Sequence, residues 1–300
     1  MTVSSRHASG GRRVNESGLA MYLTVEPTGG LANRLRAVDA AIELGAASGV
    51  PVRLRWQVNS DLGGAFQRFF ELPPSLAALD NPTESERRRW TARLGAFGRR
   101  RAYRYLDDTQ IKRLVEQRAD LVALAQGRRP LYIRTCYRFF TSTRPYAWLQ
   151  PIARLRSRIE EASRSFGAHT IGVHVRRTDH VTSREQSPDA IFFAALDACI
   201  EQDDAVEFCF CTDDGDTLAR FRERYGRRII TRADRQLGRD SVGAIEDAVV
   251  DIFSLARCSR ILGSEWSSFS RLAAQLGGIE RRVLSVGETK DTPAHWGPLV

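Results

Sequence analysis

Arg176 and Arg177 stand side by side in the segment Gly172-Val173-His174-Val175-Arg176-Arg177-Thr178-Asp179. The segment reads as a β-strand that ends at the arginines. Val173 and Val175 share one face, and His174 and Arg176 the other. A guanidinium is always charged, and its planar fork meets phosphate oxygens two at a time. At a strand's C-terminal end such a pair could grip a diphosphate. A departing diphosphate gains charge as its bond breaks, so this contact strengthens in the transition state. The structural alternative is a salt-bridged strand end with Asp179 as partner, and His174 reads as an orienting hydrogen-bonder rather than a base.

Four other segments place polar residues where strands give way to loops. Gly29-Gly30-Leu31-Ala32-Asn33-Arg34-Leu35-Arg36 is a glycine turn opening a helix, where free amides favour an anion; Asn33 and Arg34 are expected to face the ligand. Thr212-Asp213-Asp214-Gly215-Asp216 offers carboxylates for a divalent metal or for a helix cap. Capping plus ligand positioning is the preferred reading, and no metal site is expected. Asp251 sits at the rim of an apolar helical face, where it is either solvated or free to accept hydrogen bonds from a base or ribose. Gly263-Ser264-Glu265-Trp266-Ser267-Ser268-Phe269-Ser270 brings helix-start amides and hydroxyls that suit phosphate oxygens, with a plain N-cap by Ser267 as the alternative.

Positioning these segments takes alternating strands and helices. Residues 21–26 read as a strand, 31–47 as a helix closed by Gly49, and 51–55 as the next strand, a βαβ opening. Residues 59–74 read as a long loop, and 83–101 and 108–125 as helices, the first rich in arginine. A strand is expected at 131–135. Beyond residue 150 helices are expected at 151–165, 188–201, 214–225, 244–257 and 267–276, with strands at 170–175, 206–211, 228–231, 260–262 and 282–284. This rhythm means parallel sheets with crossover helices, in two α/β units: 21–150 and 151–300. Residues 1–20 read as a disordered lead-in.

Three hundred residues, 42% hydrophobic and 27% charged, suit a globular protein with a sizeable core. No apolar run reaches the ~20 residues that span a bilayer, and the first twenty lack the apolar core of a secretory signal. A cytoplasmic protein is expected. Cys136, Cys199, Cys209, Cys211 and Cys258 fit neither a disulfide framework nor a zinc site and read as core thiols. The net charge of +9 is carried almost wholly by arginine, with Lys112 and Lys290 the only lysines. The cluster of Arg87, Arg88, Arg89, Arg93, Arg99, Arg100, Arg101 and Arg104 comes with no nucleic-acid-binding signature, so no nucleic-acid partner is expected.

At the five segments the chain resembles the fucosyltransferase superfamily that includes the nodulation-protein-Z and core α-1,6-fucosyltransferases and is related to the protein O-fucosyltransferases. The resemblance spans roughly residues 22–285 and is most specific over His174 to Asp179. It implies a GT-B fold, two Rossmann-like domains facing a cleft, with the donor held mainly by the second. It also implies inverting, metal-independent transfer of fucose from GDP-fucose to a glycan or other hydroxyl acceptor, with no cofactor.

By that resemblance Arg176 and Arg177 bind the diphosphate, Asp251 the guanine, and Ser267 or Ser268 a phosphate; Asp213 and Asp214 are required for activity. His174 and the Gly29, Gly30, Asn33 and Arg34 turn complete the donor contacts. The core-fucosylating enzymes carry a lysine where this chain has His180 and a glutamate near Arg184, so the proton acceptor is expected to be either Asp179 or Glu185. The competing readings are a GT-B enzyme with another nucleotide sugar and a non-catalytic nucleotide- or glycan-binding protein. The sequence leaves acceptor and oligomeric state open.

Overall fold

The computed structural model describes residues 21–89, 102–177, 181–286 and 289–291. β1 (Leu23–Pro27) is buried along its whole length, as a strand covered on both faces must be. From it the chain turns at Gly29 and Gly30 into α1 (Leu31–Ser48). Gly49, at φ 68°, ends that helix in the left-handed cap that glycine adopts without strain. The chain returns as β2 (Val52–Arg55), parallel to β1. β3 (Leu76–Asp80), β4 (Arg104–Leu106) and β5 (Leu131–Thr135) complete a parallel sheet in the order β3-β2-β1-β5-β4.

The second sheet holds β6 (Thr170–Val175), β7 (Glu207–Thr212), β8 (Ile229–Ile230), β9 (Ile261–Ser264), β10 (Arg281–Leu284) and β11 (Thr289–Asp291), in the order β11-β10-β9-β6-β7-β8. Among the described residues of this sheet only the β10–β11 pair is antiparallel. Around the sheets lie α2 (Asp108–Glu116), α3 (Leu121–Ala125), α4 (Ala153–Ala162), α5 (Val181–Gln186), α6 (Asp189–Gln202), α7 (Gly215–Tyr225), α8 (Val242–Leu255) and α9 (Ser268–Gly277). Two parallel sheets, each flanked by helices, make the GT-B arrangement of two Rossmann-like domains. In each sheet the strand order reverses beside the central strand, at β1/β5 and at β6/β9. Ligands of such sheets bind outside the strands' C-terminal ends at that reversal.

One apolar core joins the halves: Leu35, Val38 and Ile42 of α1 belong to the same buried cluster as Ile245 and Val249 of α8 and Leu272 and Ala273 of α9. The Gly63 amide donates to Arg239 O at 2.8 Å across the seam. A Cβ at Gly63 would lie 2.0 Å from Asp240 O, so only glycine permits this approach.

Several expectations need correcting. The stretch 59–74 holds a 3₁₀ turn, Phe66–Arg68, and an aromatic core in which Phe66 and Phe70 pack beside fully buried Trp56. Burial drives that order where turn residues suggested a loop. β3 and β4 are short strands without clean alternation and were not expected; nor were α5 and β11. The helix expected over 108–125 is two, because Arg118 takes φ 52° and Asp120 caps a new start at Ala123 N. The segment 83–101 is helical over 84–89, and its remainder, with Arg93, Arg99, Arg100 and Arg101, lies outside the described residues, as do residues 1–20.

Asp39, fully buried on α1, pins the chain after β5. It accepts hydrogen bonds from Arg138 Nη1, from Tyr146 N at 2.8 Å and from Trp148 Nε1 at 2.8 Å. Removing one partner of a buried ion pair strands the other charge. Asp39→Ala is therefore expected to cost about 3–5 kcal/mol in urea unfolding. A loss below about 1 kcal/mol would show that the contacts are incidental.

Candidate functional site

The C-terminal ends of β1, β6, β7 and β9 converge on a cavity of about 1080 Å³ between the two sheets. The first domain contributes Gly29 to Asn33, Arg36, Asp61, Cys136 and Tyr137. From the second domain come His174, Arg176, residues 211–213, the β8–α8 loop over 235–239, one face of α8 and the start of α9.

Arg176 follows β6 directly and lines the cavity, half-buried. Its amide donates to Ser264 Oγ at 3.0 Å, joining the ends of β6 and β9 at the strand-order reversal. Arg177 turns the other way, as successive residues of an extended chain must. Only 8% exposed, its guanidinium grips Asp189 at 2.5 Å, donates to Arg176 O at 2.9 Å and lies over the Phe192 ring. Of the two arginines expected at the diphosphate, Arg176 lines the cavity, while Arg177 stands outside its lining and anchors the strand end that carries Arg176.

Arg34 likewise stands outside the cavity lining. It is 1% exposed and lies beneath the glycine turn, with Nε donating to Gly29 O at 2.7 Å and Nη2 to Asn59 Oδ1 at 2.7 Å. Nη1 donates to Gln57 O, and the guanidinium lies 5.3 Å from the Trp56 ring centre. Burial lowers its pKa to about 10. It shapes the turn, while Gly29, Gly30 and Asn33 line the cavity.

His174 also lines the cavity, but deep in its wall. Its ring stacks on Phe269, centres 4.8 Å apart, and Nδ1 meets Ser267 Oγ at 3.2 Å. Burial pushes its pKa down to about 3, so the ring is neutral at ordinary pH. Ser267 N-caps α9, and Ser268 lines the cavity at that helix start. Asp213 lines the cavity and accepts from Arg177 N at 2.7 Å. Asp214 stands outside it and caps α7, accepting from Thr217 N at 2.8 Å and Thr217 Oγ1 at 2.6 Å.

Asp251 lines the cavity with both oxygens engaged, by Arg232 at 2.8 Å and Arg235 at 2.8 Å. Arg232 continues to Asp247 at 2.7 Å, and Asp247 to Arg158 of α4. Glu185 is exposed on α5 and does not line the cavity; Asp179 lies outside the described residues.

Sequence reasoning missed Arg235, Arg239, Arg271, Asp61 and Trp266 as cavity-lining residues. A signal existed for Arg235 and Arg239, in the loop that follows a parallel strand. With 45 basic side chains in the sequence, arginine itself carried little information. Among the described residues no group of three or more His, Cys, Asp or Glu could hold a metal ion, and no helix is long and apolar enough to cross a membrane.

The depressed His174 pKa has a sign that can be checked. Unfolding lets the ring return to about 6.5, so between there and about 3 the unfolded chain binds one more proton. Stability must fall as pH falls through this window, by up to about 1.4 kcal/mol per pH unit. Urea unfolding between pH 6.5 and 5 is expected to show that slope, and His174→Phe, which keeps the stack, is expected to lose it. Equal slopes in the two proteins would contradict a buried neutral ring.

No protein-family model and no curated protein matches the chain. Solved structures do. A NodZ α-1,6-fucosyltransferase soaked with GDP-fucose superposes with a TM-score of 0.61 at 19% identity, covering 91% of this chain and 99% of that one. For the fucosyltransferase NodZ from Bradyrhizobium the values are 0.60 and 16%, with 91% and 98% covered. An Arabidopsis thaliana FUT1 variant in complex with GDP gives 0.59 at 13%, with 95% and 74% covered. At such identities the likeness is one of fold, and it embraces both Rossmann-like domains.

Proposed function

We propose that the chain is a glycosyltransferase moving fucose from GDP-fucose to a hydroxyl of a glycan or similar acceptor, by a single inverting displacement that needs no metal. The observation that carries this reading is the place of Arg176. It lines the cavity between two Rossmann-like domains, at the strand-order reversal, beside the start of the ten-residue helix α9. Structures of the same fold are fucosyltransferases crystallised with GDP or GDP-fucose, which supports the choice of donor.

In this reading the second domain, residues 151–300, holds the donor and the first, 21–150, receives the acceptor. The guanine lies against Ala244, Ile245 and Ala248 of α8, cavity residues that flank Asp251. A carboxylate there accepts from the ring N–H and the exocyclic amine that together mark guanine. Binding the base then displaces one or both arginines from Asp251. Neutral His174 accepts or donates a single hydrogen bond without adding charge.

As the sugar–phosphate bond breaks, negative charge grows on the β-phosphate. Arg176, the α9 amides and the Ser267 and Ser268 hydroxyls meet it. The acceptor's proton passes to a carboxylate. Asp61, on the first-domain side of the cavity, joins Asp179 as the group to compare, because Glu185 stands away from the cavity.

Turnover is expected with GDP-fucose, in preference to UDP- and dTDP-sugars, and undiminished by EDTA. Arg176→Ala is expected to lower kcat by about 10²–10³. Of Asp61→Asn and Asp179→Asn, the variant lacking the base is expected to lose kcat about 10²-fold or more with little change in donor affinity. Preference for another nucleotide, chelator sensitivity, or full activity in Arg176→Ala would each overturn the proposal.

A further inference from the structure

Trp266 combines three properties that rarely meet in one tryptophan. It is 67% exposed, it lines the cavity, and its backbone takes φ 58°. In that left-handed region Cβ crowds the following carbonyl, which is why bulky residues avoid it. Two other non-glycine residues among those described share the conformation. Arg118 separates two helices, and Tyr146 is buried with its amide bonded to Asp39. Trp266 has no such burial to offset the strain.

The backbone around it is fastened on both sides. Ser264 Oγ accepts from Arg176 N at 3.0 Å, Glu265 N donates to buried Ser187 Oγ at 2.8 Å, and Ser267 Oγ meets His174 Nδ1 at 3.2 Å. A strained conformation persists where its surroundings over-determine it, and such residues gather at binding sites. The fastening holds the indole out into the cavity beside the residues proposed for the diphosphate. Leu237, another exposed large apolar residue, lines the same cavity from the β8–α8 loop.

We propose that Trp266 is the platform for the acceptor, its indole stacking on the C–H face of the pyranose ring that bears the attacking hydroxyl. The inference rests on the donor reading above. A guanine has the deeper wall of α8, His174 and Phe269, whereas Trp266 stands at the solvent-facing rim. A group arriving after the donor meets the rim first. Pyranose rings present an apolar face and a polar edge. The indole suits the face, while Asn33, Arg36 and Tyr137 on the opposite wall suit the hydroxyls.

The test compares wild type with Trp266→Ala, Trp266→Phe and Trp266→Gly. It measures GDP affinity by calorimetry, hydrolysis of GDP-fucose by water, transfer to methyl β-glycosides of glucose, galactose and N-acetylglucosamine, and Tm. Trp266→Ala is expected to keep GDP affinity and hydrolysis within about twofold while acceptor KM rises about tenfold. Trp266→Phe is expected to recover most of that loss. Trp266→Gly, free of the left-handed strain, is expected to match or exceed the wild-type Tm while using the acceptor as poorly as Trp266→Ala.

An unchanged acceptor KM in Trp266→Ala, a tenfold loss of GDP affinity, or a wild type that transfers to none of the glycosides would overturn the platform. Wild-type protein that neither binds GDP nor hydrolyses GDP-fucose would instead sink the donor reading.

Discussion

The site depends on one geometric constraint: an extended chain sends successive side chains to opposite faces, and β6 ends on two arginines. Arg177 is drawn into an ion pair with Asp189 at the start of α6, which Arg220 also reaches at 2.8 Å. Arg176 is thereby left at the cavity, its amide held by Ser264. A buried arginine with one carboxylate partner is a costly structural element. Here it fixes the direction of its neighbour. The two residues, alike in sequence, are an anchor and a cavity-lining group.

The same division of labour recurs around the cavity. Arg34 sits under the glycine turn so that Gly29, Gly30 and Asn33 can line the other wall. Asp214 spends its carboxylate on the α7 cap, leaving Asp213 at the cavity and bonded to the Arg177 amide. On the α8 side a run of ion pairs links Arg158, Asp247, Arg232, Asp251 and Arg235, so the Asp251 carboxylate at the cavity wall is held by two arginines. His174 adds no charge, because burial outweighs the pull of Asp213 on its proton.

Much of the fold was legible because local signals agreed with the final packing. The α1 periodicity, its Gly49 stop and the strand-helix rhythm after residue 150 each reflect elements with their own apolar faces. The aromatic core around Trp56 was not legible, since its contacts join residues that turn signals alone mark as loop. β3 buries only Leu76 and so carries no alternating apolar face, and β4 has three residues. The segments of the site were legible, but the direction of each side chain was not. Arg177 points where Asp189 is, and Arg34 where Gln57 and Asn59 are, partners that only tertiary structure brings near. Trp266 went unread because backbone strain leaves no trace in spacing.

The central claim is that the Arg176 guanidinium faces a diphosphate. Calorimetric titration of guanosine, GMP and GDP into wild type and Arg176→Ala tests it most directly, since the three ligands differ only in phosphate. The account predicts a large gain in affinity from GMP to GDP in wild type, most of it lost in Arg176→Ala, with guanosine bound equally by both. The same GMP-to-GDP gain in the two proteins would contradict it.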